Sequence, residues 1–363
     1  MSINELLEII LKKSASDLHL IVGVKPMLRI DGDLTPVPNV EVLTAQESER
    51  LVFELVTDEQ KELLLVNREI DFSFALGEVA RFRVNAYYQK GYLSAALRHI
   101  PTKIRTVEEL ALPSVCHQFA KLRQGLILIT GPTGHGKSTT IAAIIEEINQ
   151  GRPVHILTIE DPIEYVYPVG KAVVSQRELH LDTHSWEVAL RSALREDPDV
   201  VLIGEMRDYE TIASAVTIAE TGHLVLATLH TNSAGQTVDR IVDVFPEHQQ
   251  DQIRSQLAST LAGVISQRLI PSLSGGRVPA CEILMATPAV KTVIREGKSH
   301  LIDNIIATSS AQGMVSLETS LSKMVKEGKI SLDQAMDFAL KPEELMRIVR
   351  GRKEEGKSFK TST

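Results

Sequence analysis

The stretch "GLILITGPTGHGKSTTIAAII", residues 125–145, limits the folds open to this chain more than any other stretch. An apolar run predicts a buried strand, a glycine-rich loop follows it, and an apolar helix begins near Lys137. The loop has the spacing G-x-x-x-x-G-K-[ST], in which glycines allow backbone amides to approach phosphate groups closely. The order of strand, loop and helix therefore indicates an α/β domain that holds a nucleoside triphosphate.

The loop positions have separate expected roles. Lys137 would reach the β- and γ-phosphates, the Ser138 hydroxyl would ligate Mg²⁺, and Thr139 would support the α-phosphate side. His135 occupies a variable position, where it would either touch phosphate or face solvent, and the solvent-facing interpretation is preferred. The predicted nucleotide-binding residues are Gly131, Pro132, Thr133, Gly134, His135, Gly136, Lys137, Ser138 and Thr139.

Composition excludes several other classes of protein. The 363 residues suffice for two or three domains, and 43% hydrophobic with 24% charged residues is ordinary for a soluble globular protein. A formal net charge of −8 argues against binding nucleic acid over a broad surface, because such binding needs basic stripes. Two cysteines cannot form a disulfide framework, so a reducing compartment is favoured.

The N-terminal stretch "MSINELLEIILKKSASD" predicts an amphipathic helix with acidic residues rather than a signal peptide. No apolar run in the sequence approaches the ~18 residues of a membrane span. We therefore expect any role at a membrane to act through a partner.

Two sequence patterns divide the chain. Up to about residue 100, β-rich segments such as "ARFRVNAYYQ" lie among helical segments, which predicts a small α+β domain. From Gly125 onward, apolar runs such as "VVLI" alternate with helices, which predicts strands buried on both faces of a parallel sheet. The predicted parts are an N-terminal domain over 1–100, a linker over 101–113, a P-loop domain over 114–350 that turns helical beyond Pro288, and a disordered tail over 351–363.

Acidic residues follow two of the predicted core strands. Glu205 comes after "VVLIG" and would lie beside the phosphates, where a carboxylate can bind Mg²⁺ or orient the attacking water. Glu160, Asp161 and Glu164 come after "HILTI", and three such acids would repel each other unless a cation lay among them. Glu164 is thus a candidate for positioning water or Mg²⁺, and the alternative is an acidic loop in water. The predicted metal ligands are Ser138, Glu164 and Glu205.

Two histidines lie at opposite ends of one predicted strand, "GHLVLATLH". His230 follows the carboxyl end, where ligands bind in α/β sheets, and could sense the γ-phosphate through a hydrogen bond. His223 precedes the strand and is ambiguous by position alone. A zinc pair is disfavoured, because no further cluster of Cys or His is nearby.

Four arginines are candidates for contacts with the nucleotide. Arg191 and Arg195 are four residues apart on a predicted helix and would share a face. Arg83 lies on a predicted strand of the N-terminal domain, and Arg98 lies on the strand that follows. In an oligomeric ATPase, an arginine from a neighbour often stabilises the charge of the transition state. The alternative for each arginine is a solvated surface that forms salt bridges.

Eight segments together resemble the secretion ATPase superfamily, and most closely the PilT-type retraction ATPases of type IV pili. They lie in the family's order across nearly the whole chain: "ASDLHL", "RFRVNAY", "GPTGHGKSTT", "LTIEDPIEYVYPVG", "ALREDPDVVLIGEMRD", "TGHLVLATLHTNSA", "SQRLIP" and "VIREGK". The combination is far more specific than the P-loop alone.

The resemblance implies both a fold and a function. Each subunit would join an N-terminal PAS-like α+β domain to a RecA-like P-loop ATPase domain with a helical C-terminal part, which is an α/β fold class. The implied function is a homohexameric motor that uses ATP and Mg²⁺ to power pilus retraction and twitching motility. Its implied partner is an inner-membrane pilus platform protein of the PilC kind, at the cytoplasmic face of the membrane. Other pilus ATPases are further partners in this interpretation, and nucleic acid is not.

The resemblance also assigns roles to single residues. Glu205 would be the catalytic glutamate of the Walker B segment, and Glu164 would be the key glutamate of the Asp box. His223 and His230 would be the pair of the His box. The arginines that it brings to the nucleotide are Arg83 and Arg98 from the N-terminal domain, and Arg191 with Arg195.

The sequence departs from the family's pattern at two places. "AVKTVIREGK" matches the retraction motif only in part, since the usual arginine–asparagine pair is missing, and His135 stands where serine is common. No long extra N-terminal region and no tetracysteine zinc site is seen, which favours a retraction motor over an assembly motor. Three alternatives stay open: an accessory PilU-like retraction ATPase, a RecA-type nucleic-acid motor, and a nucleotide-switched binding module without turnover.

Overall fold

The computed structural model describes residues 1–30, 32–77, 79–100 and 103–351. Contacts between residues divide the chain into two compact units. The N-terminal unit comprises Met1–Ile104 and Pro162–Val166, and the C-terminal unit comprises Arg105–Asp161 and the chain from Tyr167 onward. The predicted linker over 101–113 begins with two residues outside the described ranges, and the predicted tail lies outside them from residue 352.

The N-terminal unit is an antiparallel sheet with helices, as the α+β interpretation requires. Its six strands lie in the order β3-β2-β1-β6-β5-β4. The elements are α1 (Ile3–Lys13), β1 (Asp17–Leu20), β2 (Met27–Ile30), β3 (Asp33–Pro36), α2 (Ala45–Phe53), α3 (Asp58–Asn67), β4 (Glu69–Leu76), β5 (Ala80–Gln89) and β6 (Tyr92–Ile100).

Local sequence explains these elements. Thr44 with Glu47, and Thr57 with Gln60, form the predicted capping boxes at the starts of α2 and α3. Along β5, alternate residues are buried, and the arginine at position 83 lies on the less buried face. The buried face packs against α1 and α2 in one apolar core.

The C-terminal unit contains a seven-stranded sheet in the order β13-β12-β7-β11-β10-β8-β9. All neighbouring strands are parallel except β12 and β13, which form an antiparallel pair at one edge. The strands are β7 (Gly125–Thr130), β8 (His155–Glu160), β9 (Val173–Glu178), β10 (Val200–Ile203), β11 (Leu224–Leu229), β12 (Leu261–Pro271) and β13 (Arg277–Met285).

Helices connect and cover this sheet. They are α4 (Val115–Lys121), α5 (Lys137–Gly151), α6 (Trp186–Ala193), α7 (Tyr209–Glu220), α8 (Ala234–Asp243), α9 (Glu247–Thr260), α10 (Pro288–Arg295), α11 (Ile302–Thr308), α12 (Leu317–Lys326), α13 (Leu332–Phe338) and α14 (Pro342–Arg350). The chain turns helical at Pro288, as predicted, and α12 to α14 pack with residues of β12 and β13 in a separate small core. Within the described ranges, no helix is both long and apolar enough to cross a bilayer.

The parallel central strands explain where a site can form. All residues of β7, β10 and β11 are buried, which matches the apolar runs of the sequence. Because these strands run in the same direction, their carboxyl ends meet at one edge of the sheet. The P-loop, Glu205 and His230 each follow one of these ends. The predicted α/β fold class is confirmed.

Candidate active site

The P-loop connects β7 to the fifteen-residue helix α5 through backbone that only glycine adopts easily. Gly131, Gly134 and Gly136 have φ values of 141°, 78° and 81°. A Cβ atom on Gly131 would lie 2.3 Å from the carbonyl oxygen of Gln267, so a larger residue there would collide with β12. The loop therefore has the tight shape and the helix N-terminus that phosphate binding requires.

Lys137 is buried and folded back over the loop. Its Nζ donates to the carbonyl oxygens of Gly131 at 2.8 Å and Pro132 at 3.0 Å. Ser138 and Thr139 follow in the first turn of α5, and both are half-buried. This arrangement places an ammonium group and two hydroxyls at one helix N-terminus, and it fits a triphosphate with a bound cation.

Glu205 and His230 contact each other at the same edge of the sheet. The Nε2 of His230 lies 2.9 Å from the Oε1 of Glu205, and the Nδ1 of His230 lies 3.5 Å from the Nζ of Lys137. Thr133 Oγ1 is 3.3 Å from the same Nδ1. The arrangement fits a His230 that donates from Nε2 and accepts at Nδ1. The imidazole thus links the P-loop to the carboxylate.

Arg207 forms a bidentate ion pair with Glu205. Its Nε lies 2.6 Å from Oε1 and its second guanidinium nitrogen lies 2.7 Å from Oε2. Burial tends to raise the pKa of Glu205, but the hydrogen bond from Arg207, the neighbouring His230 and the positive charges of Arg207 and Lys137 outweigh it and lower that pKa. Glu205 is therefore an ionised carboxylate in a half-buried position.

Backbone contacts fix the position of Glu205. The neighbouring Gly204 N–H donates to Ile159 O at 2.8 Å, and Met206 N–H donates to Thr228 O at 3.0 Å. The hydroxyl of Thr228 also donates to Gly204 O at 2.6 Å. Glu205 is thus held between the ends of β8 and β11.

The acids that follow β8 are separated by their surroundings. Glu160 is buried and accepts hydrogen bonds from Thr158 Oγ1 at 2.7 Å and Gln176 Nε2 at 3.2 Å, whereas Asp161 is exposed. Glu164 is exposed in the segment Pro162–Val166, which groups with the N-terminal unit. Among the described residues, no group of three or more His, Cys, Asp or Glu side chains forms a metal site. The role of Glu164 in binding Mg²⁺ stays a prediction.

His223 lies at the amino ends of the parallel strands, whereas the P-loop lies at their carboxyl ends. It precedes β11, and its backbone carbonyl accepts from Gly125 N–H, at the start of β7. Its Nδ1 lies 3.0 Å from both Thr221 Oγ1 and Ile218 O. Since β11 has six residues, roughly 20 Å of strand separate His223 from His230. The C-terminal unit therefore does not bring the two histidines together.

Arg191 and Arg195 do not share a helix face, so that prediction is wrong. Helix α6 ends at Ala193, and Arg195 N–H donates to Ser192 O in the turn that follows. Asp197 has a φ of 52° and precedes Pro198, so the chain cannot continue as helix through this position. Arg191 pairs with Glu187 one turn earlier, and both side chains are exposed.

Arg83 and Arg98 lie directly opposite each other on β5 and β6 of the N-terminal unit. Each has a carboxylate partner: Arg83 lies 3.7 Å from Asp71, and Arg98 Nε lies 2.9 Å from Asp17 Oδ1. Like charges at directly opposed positions destabilise a sheet, and the two aspartates offset that repulsion. The predicted contact of these arginines with nucleotide stays a prediction.

The ring of His135 lies against β12 rather than facing open solvent, and its contact with phosphate stays a prediction. Its ring is half-buried, and its Nδ1 accepts a hydrogen bond from Leu269 N–H of β12 at 3.0 Å. The ring also lies near Phe338, with 6.4 Å between ring centroids.

Two further residues of the site were not predicted. Arg207 forms an ion pair with Glu205. The only indication of this pair in the sequence was that an arginine lies two positions after the acid. Gln267 contacts the P-loop from β12, and no spacing rule connects positions so far apart in the chain. Both contacts depend on the tertiary fold.

Comparison with known proteins places the chain in a family. The family described as "Type II/IV secretion system protein" matches residues 1–337. The chain is 48% identical to the type IV pilus retractation ATPase PilT of Pseudomonas aeruginosa over 343 residues, which cover 94% of this chain and 99% of that protein. It is 37% identical to the type IV pilus ATPase PilU of the same organism over 351 residues, which cover 96% of this chain and 92% of PilU.

A solved structure shows the same fold. The crystal structure described as the pilus retraction motor PilT with bound ADP superposes with a TM-score of 0.89 at 44% identity, over 95% of this chain and 99% of that chain. The P-loop, the Glu205–His230 contact and this likeness over nearly the full length agree with one another. The chain therefore belongs to the type II/IV secretion system protein family and is one of its ATPases.

Proposed function

We propose that this chain is the motor subunit of a type IV pilus retraction machine and converts ATP hydrolysis into mechanical work. The observation that carries the proposal is Glu205, an ionised carboxylate held 2.9 Å from His230 beside the P-loop. A nucleotide-switched binding module without turnover has no need for such a group. Likeness to a PilT of known pilus function over 94% of the chain supports the pilus as the target of the work.

The P-loop binds the substrate in this proposal. The backbone amides of residues 131–136 and the N-terminus of α5 bind phosphate oxygens. Lys137 exchanges its bonds to the carbonyl oxygens of Gly131 and Pro132 for bonds to the β- and γ-phosphates. When bound, Mg²⁺ offsets charge on the phosphates, and its proposed ligands are Ser138, Glu164 and Glu205.

Glu205 orients the attacking water. An ionised carboxylate accepts a hydrogen bond from water and aligns an oxygen lone pair with the γ-phosphorus. In the present structure Arg207 binds both carboxylate oxygens and His230 binds Oε1, and the water is proposed to take the lone pair that they leave on Oε2. His230 donates from Nε2 to Glu205 and keeps the carboxylate next to the P-loop.

The active assembly is proposed to be a homohexamer whose sites are completed by neighbouring subunits. Arg191 is exposed and bound to one local carboxylate, and Arg195 is exposed beyond the end of α6. His223 is far from His230 within its own subunit, so any role in catalysis would require a second subunit. Arg83 and Arg98 are the proposed contributions of the N-terminal unit.

The proposed partner is a PilC-like platform protein of the inner membrane, and the proposed location is the cytoplasmic face of that membrane. Other pilus ATPases are proposed as further partners, and nucleic acid is not. An accessory PilU-like role is less well supported, since identity to PilU is 37% against 48% to PilT.

Three assays test this function. Light scattering of the purified chain should give the mass of six subunits. ATP hydrolysis should be unchanged by added DNA, whereas stimulation by DNA would support a nucleic-acid motor. In a host that lacks its own retraction motor, the chain should restore twitching motility, and the Lys137→Ala variant should not. Restoration by that variant would contradict the proposal.

A further inference from the structure

The P-loop is fastened to β12 by two hydrogen bonds whose β12 partners lie outside the phosphate-binding motif. His135 Nδ1 accepts from Leu269 N–H at 3.0 Å, and Gln267 Nε2 donates to His135 O at 2.8 Å. Both β12 residues come from a strand more than a hundred positions later in the sequence. A conserved spacing rule for P-loops does not include either contact.

The bond at His135 requires its Nδ1 to be an acceptor. Burial lowers the pKa of His135, and the positive charges of Arg268, Lys137 and Arg277 lower it further. These cations come from β12, α5 and β13, whereas α13 contributes the uncharged ring of Phe338, so the charged groups around the ring disfavour a protonated imidazole. The neutral ring therefore keeps a lone pair on Nδ1 for Leu269 N–H.

The second fastening point is almost completely buried. Gln267 is 2% exposed, and its Oε1 accepts from Thr140 Oγ1 at 2.7 Å while its Nε2 binds the loop. A Cβ atom on Gly136 would lie 2.9 Å from that Nε2 and 3.2 Å from the side chain of Leu269. The end of the loop near α5 is thus closely packed against β12.

The tip of the loop is less closely packed. A Cβ atom on Gly134 would meet nothing within 4 Å, and Gly134 has a φ of 78°. Its carbonyl oxygen accepts one bond, from Arg277, at 3.2 Å. A loop with three glycines at positive φ has many alternative conformations. Its phosphate-binding shape therefore depends on the fastening at His135 and Gln267.

We propose that His135 is a positioning residue for nucleotide binding, because its Nδ1 holds the P-loop on β12 through Leu269 N–H. The inference rests on the proposed ATPase function and adds a residue that the motif leaves variable. If the Nδ1 acceptor is lost, the P-loop of the nucleotide-free protein is no longer held on β12. Only a fraction of the molecules then has the loop conformation that binds phosphate. Apparent affinity falls in proportion to that fraction.

The test measures ADP binding with Mg²⁺ by calorimetry on the full chain, beside steady-state ATP hydrolysis. His135→Ala should raise the ADP dissociation constant about three- to tenfold, the range expected for one hydrogen bond. His135→Asn keeps an oxygen acceptor where Nδ1 lies, and it should recover most of that loss. In hydrolysis, the Ala variant should change KM far more than kcat, because the bond is present in ground and transition states alike.

His155→Ala is the matched control. His155 is also half-buried and hydrogen-bonded, to Ser175 at 2.9 Å and to Asp197 O at 3.1 Å, but it begins β8 at the opposite edge of the sheet. It should leave ADP affinity unaltered. An unchanged ADP dissociation constant in His135→Ala would overturn the inference. An ADP dissociation constant for His135→Asn as high as that for His135→Ala would also overturn it, because the effect would then depend on the imidazole ring and not on the hydrogen-bond acceptor. If the affinity pattern holds but the wild type does not hydrolyse ATP, only the proposed function fails.

Discussion

Replacing Glu282 by glutamine should stabilise the protein at alkaline pH. Glu282 is 6% exposed on β13, and its Oε1 accepts a hydrogen bond from Ala234 N–H at 2.7 Å. Burial raises its pKa from 4.5 to about 7, and the carboxylates of Asp303 and Glu318 add to the rise. The bond from Ala234 and the charge of Lys341 oppose it.

The direction and size of the pH effect on stability follow from proton linkage. Because the folded state has the higher pKa, it binds the proton more tightly, and this contribution to stability is complete below the unfolded value of 4.5. It is lost as the pH rises through the folded value of about 7. A shift of this size corresponds to about 3 kcal/mol over the whole range, of which about 2 kcal/mol falls between pH 5.5 and pH 8.

The assay is thermal unfolding of both proteins at pH 5.5 and pH 8. Glutamine keeps the acceptor for Ala234 N–H and cannot ionise. The Tm of the variant relative to that of the wild type should therefore increase as the pH rises. A change of about 2 kcal/mol corresponds to a relative shift of about 4 °C in Tm for a unit of this size. Glu296→Gln is the control, because Glu296 is exposed and its pKa is lowered by Lys298. A difference in Tm that is the same at both pH values would refute the reasoning.

Four further substitutions test the site. Lys137→Ala should lose nucleotide affinity, and normal ADP binding in a titration would mean that the loop has been misinterpreted. Arg207→Gln should raise the pKa of Glu205 and move the acid limb of the pH–rate profile to higher pH, and an unmoved limb would count against Glu205 as the titrating group. Arg83→Ala and Arg98→Ala should each cut hydrolysis sharply with Tm retained, whereas wild-type rates would identify them as surface charges.

Local sequence patterns predicted the centre of the C-terminal unit well. Strand β7, the P-loop and the start of α5 follow from one stretch, because burial, glycine geometry and helix periodicity all act within 21 residues. The places of Glu205 and His230 follow from the rule that parallel strands end at the same edge. These predictions needed no knowledge of contacts between distant residues.

The other features of the site depend on contacts between distant residues or on local turns. The hairpin of β12 and β13 was not predicted, and with it Gln267 and the partner of His135 were missed. The ion pair of Arg207 depends on side-chain geometry that spacing does not give. Pro198 disfavours helix only at Asp197, so the sequence did not show that α6 ends as early as Ala193, and Arg195 was wrongly predicted to lie on that helix.

The central claim is that Glu205 makes this P-loop protein an enzyme, and steady-state ATP hydrolysis by Glu205→Gln tests it most directly. The variant should still bind ADP as the wild type does when binding is measured without Mg²⁺, since the P-loop is untouched. Its hydrolysis should fall by a factor on the order of 10²–10⁴, because the group that orients the attacking water is lost. Turnover within about threefold of the wild type, with normal binding, would contradict the account, since such a loss is far below that expected for a catalytic base.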